Sequence, residues 1–146
     1  MSRTLVLLLV VHGLLLALLG MLLGFPLAHA ITAADSPQAQ LAWRASHTTL
    51  VTGGTLYVAV AAVAGQLALG ARAARFATTT LVLASYVFAA VLCAGPLLGA
   101  RGLEAAGPPS HLAVHAGFLA AIALLFAGLA VILWGALGAV ARSRGS

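Results

Sequence analysis

Residues 4–24 read Thr-Leu-Val-Leu-Leu-Leu-Val-Val-His-Gly-Leu-Leu-Leu-Ala-Leu-Leu-Gly-Met-Leu-Leu-Gly, and they belong to an uncharged run that continues to Ala34. About 20 apolar residues at about 1.5 Å each cross the hydrocarbon core of a bilayer, so this run predicts a membrane span. A rival reading is a secretory signal peptide, with Arg3 as its positive flank and Ala28-His29-Ala30 as a cleavage site. The apolar stretch is much longer than the roughly 7–15 residues of a signal-peptide core, which favours the span. Within it Gly20 and Gly24 form a GxxxG pair, which lets a second helix approach closely.

Composition extends the membrane reading to the whole chain. Of 146 residues, 63% are hydrophobic and 6% charged. Soluble domains run at about 45–50% apolar and about 25% charged, so a water-soluble surface cannot be assembled from this sequence. Lys is absent, and the seven basic residues are Arg placed in short breaks between apolar runs. The positive net charge therefore reflects membrane topology, and no nucleic-acid partner is implied. Cys93 is the one cysteine, which excludes an internal disulfide and suits a small buried apolar side chain.

Outward from the first run, residues 31–44 hold Asp35, Ser36, Pro37, two Gln and Trp43, a polar mixture that predicts an external loop with an interfacial Trp. Further apolar runs lie between Arg44 and Arg72, between Arg75 and Arg101, and from the Gly107-Pro108-Pro109-Ser110 break to Val140. Four spans are expected, over about residues 4–30, 47–70, 76–99 and 111–140, in a single domain covering 1–146. The fold class is all-α, an integral membrane four-helix bundle. Arg3, Arg72, Arg75, Arg142 and Arg144 lie on one side with no acid, whereas Arg44 and Arg101 on the other side are balanced by Asp35 and Glu104. The positive-inside rule then places both termini in the cytoplasm, in a multi-pass protein of the cell inner membrane.

No span contains Asp or Glu, which argues against a proton-coupled transporter, since such a protein needs a carboxylate at the bilayer midplane. The remaining polar chemistry is histidine and hydroxyl. His12 falls inside the cytoplasmic half of the first span, whereas His29, His47, His111 and His115 fall near the external ends of the first, second and fourth. Such a cluster can be a metal or haem site, or simply a set of solvated residues at headgroup level. His111 and His115 share a helix face at i, i+4 but have no obvious third zinc ligand. After His47, the hydroxyls of Thr48, Thr52 and Thr55 fall at i, i+4, i+7, beside the small Gly53 and Gly54. That pattern suits a flat ligand, and it equally suits close helix contact with each Thr bonded back to its own helix. Tyr86, preceded by Ser85, is with Tyr57 one of two hydroxyl-bearing aromatics near mid-membrane, where a packing role is the other reading.

Four pieces carry a family resemblance: His12 to Gly20 with Gly24, His47 to Gly54, Ser85-Tyr86, and Val131-Ile132-Leu133-Trp134-Gly135-Ala136-Leu137. In order and spacing they resemble the hydroxylaminobenzene mutases and the similar styrene oxide isomerases, four-span membrane proteins. The resemblance implies an intramolecular rearrangement, of an arylhydroxylamine to an aminophenol or of an aryl epoxide to an aldehyde. It implies haem b held between the protomers of a trimer, with His47 at the position of the axial ligand and Thr52 and Gly53 lining the cofactor. Iron so held would polarise the C–O or N–O bond as a Lewis acid. Where the family tends to have Asn-Gly after that histidine, this chain has Gly53-Gly54. Where the isomerases place an acid, an Asn and a Tyr in the third span, it has Ala84, Tyr86 and Phe88. Tyr86 coincides with a tyrosine of the mutase pattern and is the candidate catalytic side chain.

The sequence thus points to a haem-dependent membrane isomerase or mutase acting on a small apolar aromatic substrate that partitions into the lipid. Two other readings remain: a non-catalytic haem b protein for electron transfer or sensing, and a cofactor-free structural four-span protein.

Overall fold

The structure is a computed structural model that describes residues 1–100 and 102–144. Arg101, one of the charges assigned above to an external loop, and residues 145–146 lie outside the described residues. Five helices occur in the order α1 (Arg3–Leu22), α2 (Gly24–Thr32), α3 (Pro37–Val63), α4 (Ala71–Leu98) and α5 (Pro109–Ser143). Among the described residues there is no strand. Helices α1 and α2 together form one span, and with α3, α4 and α5 they give four helices long and apolar enough to cross a membrane. The all-α four-span architecture follows directly from the apolar runs, because in lipid a helix satisfies every backbone group internally.

The polar segment before the second span departs from the loop expected there. Helix α2 runs to Thr32 and α3 starts at Pro37, so only residues 33–36 are non-helical. Ser36 is the N-cap, its hydroxyl accepting from the Ala39 N–H at 3.3 Å, and Pro37 follows at the first helical position. Those two residues open a helix, although their composition suggests a loop. Trp43 and Arg44 therefore ride on the first turns of α3. Helix α5, at about 1.5 Å per residue over 35 residues, is also longer than a roughly 30 Å hydrocarbon core and extends past it.

The break between α1 and α2 falls at Leu23. Pro26 has no N–H to return to the Leu22 carbonyl four residues back, and its ring crowds that turn, which accounts for the break.

Neighbouring spans run antiparallel and meet through small residues. A β-carbon on Gly13 would lie 2.8 Å from the Gly54 carbonyl oxygen, and one on Gly20 would lie 2.7 Å from the Val51 nitrogen. The α1 and α3 backbones are therefore in contact, as GxxxG-type pairs allow. The buried residues of α5, Val114, Ala121, Gly128 and Gly135, recur every seven positions. This spacing gives the seam of a left-handed helix pair, along which Leu81 of α4 and Leu69 sit against Gly128 and Gly135. α1 packs mainly on α3 and α4 mainly on α5, and Leu9, Tyr57, Val60, Ala61 and Leu81 join the two pairs in one core.

Two side chains tie α3 to α4 by hydrogen bonds. The Ser46 hydroxyl donates to the Leu92 carbonyl at 2.6 Å, and the buried Tyr57 hydroxyl donates to the Leu81 carbonyl. Tyr57 is thus a structural link between α3 and α4.

Candidate functional site

His47 lies one face of α3 over the end of α1. Its Nδ1 is 2.8 Å from the Gly20 carbonyl oxygen, and a β-carbon on Gly24 would meet the ring at 3.5 Å. Glycine at 20 lets α3 come close enough for this bond to form. A carbonyl can only accept, so Nδ1 carries the hydrogen and the lone pair of the neutral ring sits on Nε2. The ring is half-buried. A histidine whose Nδ1–H is fixed by a backbone carbonyl is the usual arrangement of a metal-ligating imidazole, since it sets the tautomer and aims Nε2. Nε2 of His47 would therefore fit as the donor that holds an iron-containing haem.

The hydroxyls that follow do not converge on it. Thr48 donates to the Arg44 carbonyl, Thr52 to the Thr48 carbonyl at 2.8 Å, and Thr55 to the Val51 carbonyl at 3.0 Å, all within α3. The three are exposed on one face. Thr52, five positions after His47, is turned about 140° from it around the helix, and Gly53 about 120° the other way. Gly53 faces α1, with its hypothetical β-carbon 3.4 Å from a methyl of Leu16. His47, Thr52 and Gly53 thus occupy three different sides of α3.

Tyr86 is on α4 near the middle of its span, and its side chain is half exposed on the outside of the bundle. Its hydroxyl is 2.7 Å from Nδ1 of His12 on α1, and the two rings meet edge to face with centroids 5.4 Å apart. His12 was singled out by sequence only as the histidine apart from the other four. Its partner could not be read there, because it depends on how α1 and α4 are rotated against each other. The signal available was the position itself, since an ionisable residue deep in an apolar span is a functional candidate by default. Ser85, buried beside Tyr86, bonds back to the Val82 carbonyl at 2.6 Å.

The structure holds two separate polar positions. His47 with Gly20 lies between α1 and α3, and Tyr86 with His12 lies between α1 and α4. Gly20 and His12 are eight residues apart on α1, about 12 Å along its axis. Tyr86 is therefore beyond hydrogen-bond reach of His47 within one chain.

The remaining histidines serve the connection between α4 and α5 or stand at its level. His111 Nε2 donates to the Leu98 carbonyl at 3.0 Å and His115 Nδ1 to the Gly102 carbonyl at 2.8 Å. The pair closes the loop after Gly99, whose φ of 65° ends α4. His29 is exposed on α2. Among the described residues no three His, Cys, Asp or Glu side chains come together as a metal cage.

No curated protein and no solved structure matches this chain. A family model described as styrene oxide isomerase matches residues 6–137, a stretch that takes in both polar positions, the second and third spans and most of the first and fourth. With nearly the whole chain matched and its four apolar helices in antiparallel order, the protein belongs to the styrene oxide isomerase family.

Proposed function

We propose that this protein is a membrane-embedded isomerase that rearranges a small apolar aromatic substrate, an epoxide to a carbonyl compound or an arylhydroxylamine to an aminophenol. Haem b is held through Nε2 of His47, in an assembly of several copies, with both termini cytoplasmic. Haem held there would supply a Lewis-acidic iron able to polarise a C–O or N–O bond. The observation that carries this reading is the bond from His47 Nδ1 to the Gly20 carbonyl, which leaves Nε2 as the free donor atom.

The chain's own residues contribute the rest. Gly20 and Gly24 admit and orient the His47 ring. Tyr86 offers a phenol, a weak acid that can hydrogen-bond or protonate the substrate oxygen. The lipid-facing position of Tyr86 suits a substrate that reaches the protein from the bilayer. An isomerisation consumes no co-substrate.

A second reading, a haem protein without isomerase activity, is favoured by one observation: Thr52 is bonded to its own helix and Gly53 has no side chain. Neither of these two residues then offers an amide or acid side chain to a substrate. The deciding experiment is an absorption spectrum of detergent-purified protein, followed by incubation with styrene oxide and phenylhydroxylamine. A haem spectrum with conversion of either probe supports the isomerase. A haem spectrum with no conversion supports the second reading, and a protein without a haem spectrum removes both.

A further inference from the structure

Tyr86 does not stand alone on its face of the bundle. Its hydroxyl meets His12 Nδ1 at 2.7 Å, with the rings at 81° to each other. His12 is the only histidine of α1, the helix that also carries the Gly20 carbonyl. Two polar side chains on apolar helices, one half-buried and the other half exposed, are costly to keep in lipid. A leucine pair would pack the same α1–α4 contact without that cost.

Resting on the isomerase reading above, we infer that His12 is a positioning residue for Tyr86, and that the two form the dyad that lends and recovers the proton of the rearrangement. A neutral imidazole has one N–H and one lone pair. With the hydrogen on Nδ1, His12 donates to the phenol oxygen, and the phenolic hydrogen is free to point away from the pair towards the lipid side. The same N–H bond stabilises the phenolate that forms when that hydrogen leaves, as a preorganised donor does for a developing oxyanion.

The chemistry balances without an outside reagent. For an aryl epoxide, the benzylic C–O bond breaks with both electrons going to oxygen, which takes the proton from Tyr86. A hydrogen on the neighbouring carbon then moves with its electron pair to the benzylic carbon. As the C=O bond forms, the O–H proton returns to the phenolate held by His12. The product is an isomer of the substrate and the dyad is unchanged.

The test combines a spectroscopic and a kinetic readout on the full-length protein in nanodiscs, with tyrosine labelled by 13C at Cζ. His12→Leu should move the Tyr86 resonance and leave that of Tyr57, which bonds to Leu81. It should lower styrene oxide turnover about 10- to 100-fold, the scale of one lost hydrogen-bond donor at a reacting group, with the absorption spectrum unchanged. His12→Asn, which returns an N–H near the place of Nδ1, should recover part of that loss. In a Tyr86→Phe background His12→Leu should cost nothing further, since residues acting as a unit are not additive. An unmoved Tyr86 resonance, full turnover by His12→Leu, or losses that simply add would each overturn the dyad while leaving the isomerase reading in place. A wild-type protein that converts neither probe would overturn both.

Discussion

Ser46 and Pro96 are coupled through one carbonyl. Pro96 lies inside α4 and has no N–H to give to the Leu92 oxygen four residues back, and the Ser46 hydroxyl of α3 donates to that oxygen at 2.6 Å. The proline thereby creates, in the interior of the bundle, the acceptor that joins the second span to the third. Ser46 can also turn to the Ala42 carbonyl of its own helix at 3.0 Å, but only the Leu92 bond crosses between helices.

Ser46→Ala should destabilise the bundle by about 1–2 kcal/mol, because it leaves the buried Leu92 carbonyl without a donor. In a Pro96→Ala background, where the helical N–H is restored, the same substitution should cost less than half as much. Unfolding midpoints in detergent for the four proteins of this cycle give the coupling directly, and equal costs in the two backgrounds would disprove it.

Gly54 should tolerate no side chain. A β-carbon there would lie 2.7 Å from the Ala17 nitrogen and closer still to the Gly13 carbonyl oxygen, so the obstacle is backbone and cannot rotate aside. Gly54→Ala should cost about 1–3 kcal/mol, on the scale of overpacking a core, and Gly54→Leu should abolish the folded protein. Gly65→Ala meets nothing within 4 Å and is the matched control, with little loss of thermal stability.

At the proposed cofactor position, His47→Ala should abolish haem retention, read as loss of haem absorption in purified protein. His29→Ala should leave it intact. His111→Ala and His115→Ala remove donors to the Leu98 and Gly102 carbonyls and should lower thermal stability without emptying the site. Loss of haem in either of those two, with retention in His47→Ala, would transfer the site to the α4–α5 loop.

Topology is open to a direct check. Five Arg and no acid lie on the side of the amino terminus, the α3–α4 connection and the carboxy terminus. A fluorescent reporter fused at the carboxy terminus should therefore be active in the cytoplasm, and an alkaline phosphatase fused there should be inactive. Mass spectrometry should show an intact amino terminus. Cleavage after Ala30 would remove α1 and uncover Gly54 and the His47 ring, which the span-one glycines now cover.

The sequence by itself determined that the protein is all-helical and that it has four apolar spans, because apolar length and absence of charge are sufficient to decide what enters a bilayer. It also singled out His47 and Tyr86. The tertiary structure alone decided which groups those side chains meet. The helix at Pro37 was masked by residues that serve loops and helix starts alike. The pairing of His12 with Tyr86, of His47 with Gly20 and of Ser46 with Leu92 depends on the rotation and vertical register of one helix against another. In spans so uniformly apolar no hydrophobic stripe marks an inner face, so that rotation is set by where glycines let backbones touch and where stray polar groups find partners. The separation of the Thr48, Thr52 and Thr55 face from His47 follows from 3.6 residues per turn, yet its meaning emerged only once each hydroxyl was seen bonded to its own helix.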